Sequence, residues 1–424
     1  MTQRRIVLAA GLGCALLVAA CQNDVLNSPG VPPYAGGAMF QRYVAFGNSI
    51  TAGFQSFGLN DSLQSRAYPV LLAAAMRGAR FYYPGLNPPG CPNPIDSIFV
   101  VDGNSASPTF GKPHRSGNTF RDDLCALRST PIPPYISNVA FPGADIIEAL
   151  NTNYAPPQPP ASPTDAYKLF LLGGKTELQW ARQLQATFVT VWLGNNDVLG
   201  AILDTSANAG SAADITTPAD FTTRFNAFMD SLDSFGTIQG GLLLGAVQVT
   251  GAPYVSRGTA YAAAAASIPT LTVLPNCLAF TPISSTDTAW VYVPFHFGAP
   301  LVARAAGGTP TTLDCSDPHV ISVAETINMI STVVQYNATI AQAAADRNWA
   351  YVDPTPILRT LAATPGAIRA FPAFPPDPNS GAAPFGTAVS RDGVHPSTST
   401  QRLIAQILRD SINAHYNAAI PPIP

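Results

Sequence analysis

The chain has 424 residues, of which 47% are hydrophobic, 11% are charged and 41 are Pro. That hydrophobic share excludes a disordered chain, although the Pro content is about twice the usual ~5%. With 22 Lys+Arg against 25 Asp+Glu and no basic stripe, the chain also lacks the electrostatic footprint of a nucleic-acid-binding protein.

The N-terminus reads as an export signal over residues 1–20. Arg4 and Arg5 supply a positive start, and Ile6 to Ala20 is an uncharged, mostly apolar run. The run falls short of the about 20 residues that a membrane span needs. It closes on Leu17-Val18-Ala19-Ala20-Cys21, which resembles a bacterial lipobox. The expectation is a lipidated Cys21 anchored to a membrane of the bacterial envelope. Gln22 in place of Asp points to the outer membrane, on its periplasmic or surface face. Residues 21–40, with Pro29, Pro32 and Pro33, read as the lipidated Cys and a flexible tether. No other segment reads as a transmembrane helix.

Strands and helices then alternate through one domain over 41–416, followed by a tail over 417–424. Tyr43-Val44-Ala45-Phe46 is a short apolar strand stopped by Gly47, with a helix expected from Ser65 to Met76. Val139-Ala140-Phe141 is a second strand, stopped by Pro142-Gly143. Thr187 to Leu193 is the clearest buried strand, being β-branched or aromatic almost throughout. Phe221, Phe225, Phe228 and Leu232 recur at helical spacing. Leu242 to Thr250 and Trp349 to Val352 read as the fourth and fifth strands. Between them, Asp317-Pro318 is read as a helix start. A last helix carries Leu403, Ile404, Ile407, Leu408 and Ile412 on one face. Five apolar strands separated by helices imply a parallel sheet covered on both faces.

Two stretches, about 80–135 and 252–316, are rich in Pro, Gly and small residues and read as insertions on that domain. Four cysteines remain outside the signal and the lipobox: Cys91, Cys125, Cys277 and Cys315. An even number in an exported chain implies two disulfides. Of three possible pairings we expect Cys91–Cys125 and Cys277–Cys315, because each pair brackets one insertion. Without Cys-x-x-Cys, or His at ligand spacing from another His, a zinc site is disfavoured, and no metal or cofactor is expected.

In open parallel sheets reactive groups gather where strands end. The first strand is followed by Gly47-Asn48-Ser49, the second by Pro142-Gly143-Ala144 and the third by Gly194-Asn195-Asn196-Asp197. The last helix is preceded by Asp392-Gly393-Val394-His395-Pro396. Each block alone is weak, since Gly-Asn-Ser after a strand is most often only a turn. Together they supply the parts of an acyl-transfer site. Ser49 would be the nucleophile, His395 its base and Asp392 the group that fixes the His tautomer. The amides of Ser49 and Gly143 and the side-chain NH2 of Asn196 could hold an oxyanion.

At these blocks the sequence resembles the GDSL/SGNH hydrolase family. FGNSITAG stands where the family usually has Gly-Asp-Ser, NVAFPGA keeps the Gly, GNND matches Gly-x-Asn-Asp and DGVHPS matches Asp-x-x-His, all in family order. The resemblance implies a flavodoxin-like three-layer α/β/α sandwich with catalytic Ser49, Asp392 and His395 and an oxyanion hole of Ser49, Gly143 and Asn196. It implies a serine ester hydrolase that needs no cofactor. Asn48 departs from the usual Asp, and Thr400 stands where the family often has Gly. Neither removes a group the mechanism requires.

No Gly-x-Ser-x-Gly elbow, His-Glu-x-x-His or phosphate loop occurs. Lipid or short-acyl esters are the expected substrates. The alternatives are an O-acetyl polysaccharide esterase and a non-catalytic binding lipoprotein on the same scaffold. Tyr261, Trp290, Tyr292, Phe295 and Phe297 of the second insertion are expected to pack its own small core rather than form an acyl-binding wall. His296 among them is expected to be structural.

Overall fold

The computed structural model describes residues 37–98, 114–115, 133–150, 163–372 and 383–424. The predicted signal, Cys21 and Cys125 lie outside the described residues. Among the described residues, no helix is long and apolar enough to cross a membrane.

Four parallel strands form the central sheet: β1 (Tyr43–Gly47), β2 (Phe188–Trp192), β3 (Gly240–Leu244) and β4 (Ala350–Val352), in that spatial order. The segment expected as the second of five strands, 139–141, does not extend the ladder. It meets β1 through one parallel bridge between Asn138 and Ala45, where the Ala45 amide donates to Ser137 (2.9 Å) and the Val139 amide to Ala45 (3.0 Å). The reason is local: the Gly47 amide, next in the ladder, donates to Glu177 Oε1 (3.4 Å) instead of to the Val139 carbonyl. The Asn138 side chain donates to the Thr51 carbonyl (2.8 Å) and accepts from the Ala140 amide. Counting this bridge, the chain order across the sheet is 2-1-3-4-5, the flavodoxin-like order.

The strands are buried on both faces, as the two-residue period requires. Tyr43, Ala45, Phe188, Trp192, Leu242 and Leu244 pack on one side. There they meet α1 (Tyr68–Met76) and α2 (Thr398–Tyr416), whose Ile404, Leu408 and Ile412 are buried as expected. Val44, Phe46, Val189, Val191 and Leu243 face the opposite layer. Phe221, Phe225, Phe228 and Leu232 of the 218–233 helix are buried in that layer, beside the 323–346 helix. The latter does not begin at Asp317. Its cap is Ser322, in a capping box with Glu325, whereas Asp317 accepts from the His319 amide in a turn.

The 252–316 insertion folds on its own core, with Tyr261 buried against Leu271, Val293, Leu301 and Leu313. Cys277 and Cys315 form a disulfide that closes it. Cys91 is also disulfide-bonded. Not every insertion aromatic stays in that core. Phe295 is buried with the main core and lies edge-on to Phe385, which ties the insertion to the domain. Replacing both Cys277 and Cys315 by serine should cost about 3–4 kcal/mol in urea unfolding, the loop-closure value for a separation of 38 residues. An unchanged midpoint and slope would show that this closure does not stabilise the folded state.

Candidate active site

Strand β1 delivers the nucleophile block to the C-terminal edge of the sheet. Asn48 caps the single helical turn Ser49–Ala52 through its side-chain oxygen, which accepts from the Ile50 amide (3.1 Å). A carbonyl suffices for that cap, so the Asn for Asp exchange leaves the turn intact. Ser49 is thereby fixed at the turn's first position and is only 6% exposed.

His395 and Asp392 reach it from the loop before α2. His395 Nε2 lies 2.8 Å from Ser49 Oγ, and His395 Nδ1 lies 2.8 Å from Asp392 Oδ2. Burial would raise the Asp392 carboxyl, but the charge and hydrogen bonds of His395 and the Phe57 amide outweigh it and hold the group down at about 2. The Ser390 hydroxyl and the amides of Val394 and His395 also donate to its Oδ1, each at 2.9 Å. An ionised carboxylate is an acceptor only. The proton of the imidazole therefore sits on Nδ1, and the Nε2 lone pair faces the Ser49 hydroxyl. Phe54 packs its ring 4.9 Å from the imidazole and limits the ring's tilt.

Gly143 and Asn196 stand on neighbouring segments, joined where the Asn196 side-chain amide donates to the Ala144 carbonyl (2.8 Å). Gly143 is exposed, with φ +86°, and a Cβ there would meet Thr164 Oγ1 at 2.3 Å. Only glycine fits, on both backbone and steric grounds. Among the described residues, the amides of Ser49 and Gly143 donate to no acceptor. The second proton of the Asn196 amide is likewise uncommitted among them.

Several supporting residues carry no motif of their own. Ser56 and Phe57 both adopt left-handed φ, at 56° and 51°, which turns the Phe57 amide onto Asp392 and the Ser56 amide onto the Ser390 hydroxyl (2.9 Å). Tyr254, at the start of the second insertion, donates its amide to the Gly393 carbonyl (2.9 Å). A Cβ on Gly393 would crowd that same amide at 3.0 Å. The insertion thus braces the Asp-x-x-His turn. Asp197 is buried and accepts from the Ile146 amide (3.1 Å). Burial, with the charge of Asp145, pushes its carboxyl up to about 7. His296 bonds the Tyr254 hydroxyl (3.0 Å) and not a triad residue among the described residues. Among the described residues no cluster of His, Cys, Asp and Glu could hold a metal ion.

No family model and no curated protein matches the chain. Among solved structures it is similar to Axe2, an acetylxylan esterase from Geobacillus stearothermophilus, at 11% identity and a TM-score of 0.37, over 90% of this chain and 96% of that chain. It is also similar to a tryptophan variant of that enzyme, at 10% identity and a TM-score of 0.38, over 92% and 98% of the two chains. LAE5, an alpha/beta hydrolase enzyme from the metagenome of Lake Arreo, Spain, aligns at 12% identity and a TM-score of 0.35, over 91% and 97%. Likeness at these TM-scores assigns no activity and no residue role to this chain.

Proposed function

We propose that the protein is a GDSL/SGNH-type serine esterase that hydrolyses short-acyl carboxylic esters through an acyl-Ser49 intermediate. The observation that carries this is the buried relay Ser49–His395–Asp392, with both contacts at 2.8 Å and with the ionised Asp392 fixing the imidazole tautomer. As Ser49 Oγ attacks the ester carbonyl, His395 Nε2 takes its proton. The Oγ–C bond forms and the carbonyl electron pair moves onto oxygen. The Ser49 and Gly143 amides and the Asn196 side chain are the donors available to that oxyanion. Collapse breaks the C–O bond to the alcohol, which leaves with the proton from His395. Water then repeats the sequence on the acyl-enzyme, activated by the same imidazole.

The acyl side is argued from an apolar cavity of about 110 Å³ walled by chain neighbours of the relay, with Ser49 and His395 themselves outside its lining. Its lining includes Ile50, next to Ser49, and Val394 and Pro396, which flank His395; Val247 and Ile407 are among the other wall residues. An apolar cavity of about 150 Å³ stays dry and holds benzene. This cavity therefore suits a chain of a few carbons better than an acetyl group alone. On a panel of p-nitrophenyl esters, kcat/KM should rise from acetate to butyrate. Ile407→Trp should remove that preference by roughly 10-fold while sparing acetate. A maximum at acetate, unaffected by Ile407→Trp, with faster turnover of acetylated oligosaccharides, would favour the polysaccharide esterase instead.

A further inference from the structure

A second cavity, of about 480 Å³, lies on the other flank of the triad loop, and unlike the first it mixes polar side chains with apolar ones such as Leu63 and Ile95. Gln55, Ser56, Thr387, Ser390, Arg391 and the 397–399 start of α2 contribute to its lining. Two nitrogen donors there are buried without an acceptor among the described residues, Gln55 Nε2 and Arg391 Nε. Gln55 is 4% exposed, and its oxygen is already taken by the Thr398 hydroxyl at 3.1 Å, which directs the amide orientation. Arg391 forms no ion pair among the described residues, and only its backbone is engaged, donating to Ser56 Oγ at 3.2 Å. The third component is the start of α2, a helix of 19 residues capped by Ser397. Its Thr398 and Ser399 amides meet no acceptor among the described residues.

Unpaired buried N–H groups are costly, at roughly 1–3 kcal/mol each, and native structures seldom keep two in one place. Here a guanidinium, an amide NH2 and the positive end of a helix border one cavity. The nearby carboxylate, Asp392, is saturated by its own donors and faces His395. The complement to such a set is an anion with several acceptor oxygens.

We propose that this cavity binds an oxyanion, a phosphate, sulfate or carboxylate group, held by Arg391, Gln55 and the N-terminus of α2. The ion would occupy the seam between the 54–58 turn and the 387–391 segment. Both help to hold Asp392, so binding there reaches the triad through its supporting loop.

The test uses the whole chain and inorganic phosphate as the probe. Calorimetry should give saturable one-site binding, and phosphate should raise the melting temperature where chloride at matched ionic strength does not. Arg391→Met removes a side chain that has no partner to orphan, and it should weaken phosphate binding by at least about 10-fold. Gln55→Glu keeps the oxygen that Thr398 needs and adds a negative charge, so it should abolish binding. Ser49→Ala protein should bind phosphate as well as wild type does, which separates this site from the esterase reading. Two kinetic arms identify the source of the anion. If phosphate raises KM only for an ester that carries a carboxylate, the cavity is a substrate subsite. If phosphate changes kcat equally for a neutral ester, the cavity takes a free ion. Absence of saturable binding, or equal binding by Arg391→Met and Gln55→Glu, would overturn the proposal.

Discussion

Ser49→Ala should lower ester turnover by about 10⁴-fold or more and leave the fold in place. The size follows from what the hydroxyl supplies. Without it no acyl-enzyme forms, and only whatever oxyanion stabilisation and substrate positioning remain can act on a free water. The fold should survive because, among the described residues, the Ser49 side chain makes one hydrogen bond, to His395, while the turn is capped by Asn48. The loss should therefore appear in kcat, with KM within a few-fold, and with unfolding free energy within about 1 kcal/mol of wild type. Steady-state hydrolysis of p-nitrophenyl butyrate, run beside intact-mass detection of an acylated Ser49 in wild type, measures both halves. Full turnover in the alanine variant, or an acyl adduct on another residue, would remove Ser49 from the mechanism. No turnover in wild type on any ester would instead favour a binding protein that kept the scaffold.

The parts of this site that could be read from sequence are those whose position follows from strand ends. Tyr43–Gly47 and Phe188–Trp192 are continuous apolar runs, and a run buried on both faces has little alternative to a parallel strand. Once those strands are placed, Ser49 and Asn196 must lie at one edge. The second strand fails as a ladder because the next amide of β1, that of Gly47, is taken by the distant side chain of Glu177. The 323–346 helix starts later than Asp317-Pro318 implies, although its Ser-x-x-Glu box is present in the sequence. Asp317-Pro318 carries a competing cap signal, and hydrophobic periodicity upstream of Ser322 obscured the choice.

The supporting residues were not legible for a different reason. Phe57 acts on Asp392 across 335 residues, and Ser390, itself two residues from Asp392, receives the Ser56 amide across 334, separations that no local pattern encodes. The left-handed conformations of Ser56 and Phe57 run against the preference of both residue types. They are stable only because Asp392 and Ser390 receive the amides they present. The role of the 252–316 insertion was hidden in the same way. Its composition foretold a separately packed unit, but the Tyr254 amide on Gly393 follows from how that unit docks. The polar cavity at Gln55 and Arg391 is a product of the same docking of loops, so it too lies beyond what motif spacing can reveal.

Asp392→Asn tests this supporting shell and the triad together, and the expected loss in kcat is again about 10⁴-fold. The carboxylate receives the Phe57 amide and His395 Nδ1 on one oxygen, and Ser390, Val394 and the His395 amide on the other. Asparagine can accept on one side only. If its oxygen keeps the Ser390 side, its NH2 faces the Phe57 amide and the Nδ1 proton, donor against donor. The imidazole can relieve that clash by moving its proton to Nε2, where it can no longer receive one from Ser49. Activity falls because the wrong nitrogen carries the proton, even though every residue of the relay except one remains. Stability should change with a defined sign. The folded Asp392 carboxyl is held at about 2, below its ordinary 3.8. Its contribution, on the order of 2 kcal/mol, is fully present above about pH 4 and is lost as pH falls towards 2. The asparagine variant has no group titrating there. Urea unfolding at pH 7 should therefore show wild type more stable than Asp392→Asn, and the gap should narrow between pH 4 and pH 2. A gap independent of pH over that range would mean that the carboxylate is not held ionised by its donors. An Asn variant with kcat within 10-fold of wild type would mean that the tautomer of His395 is fixed by something other than Asp392.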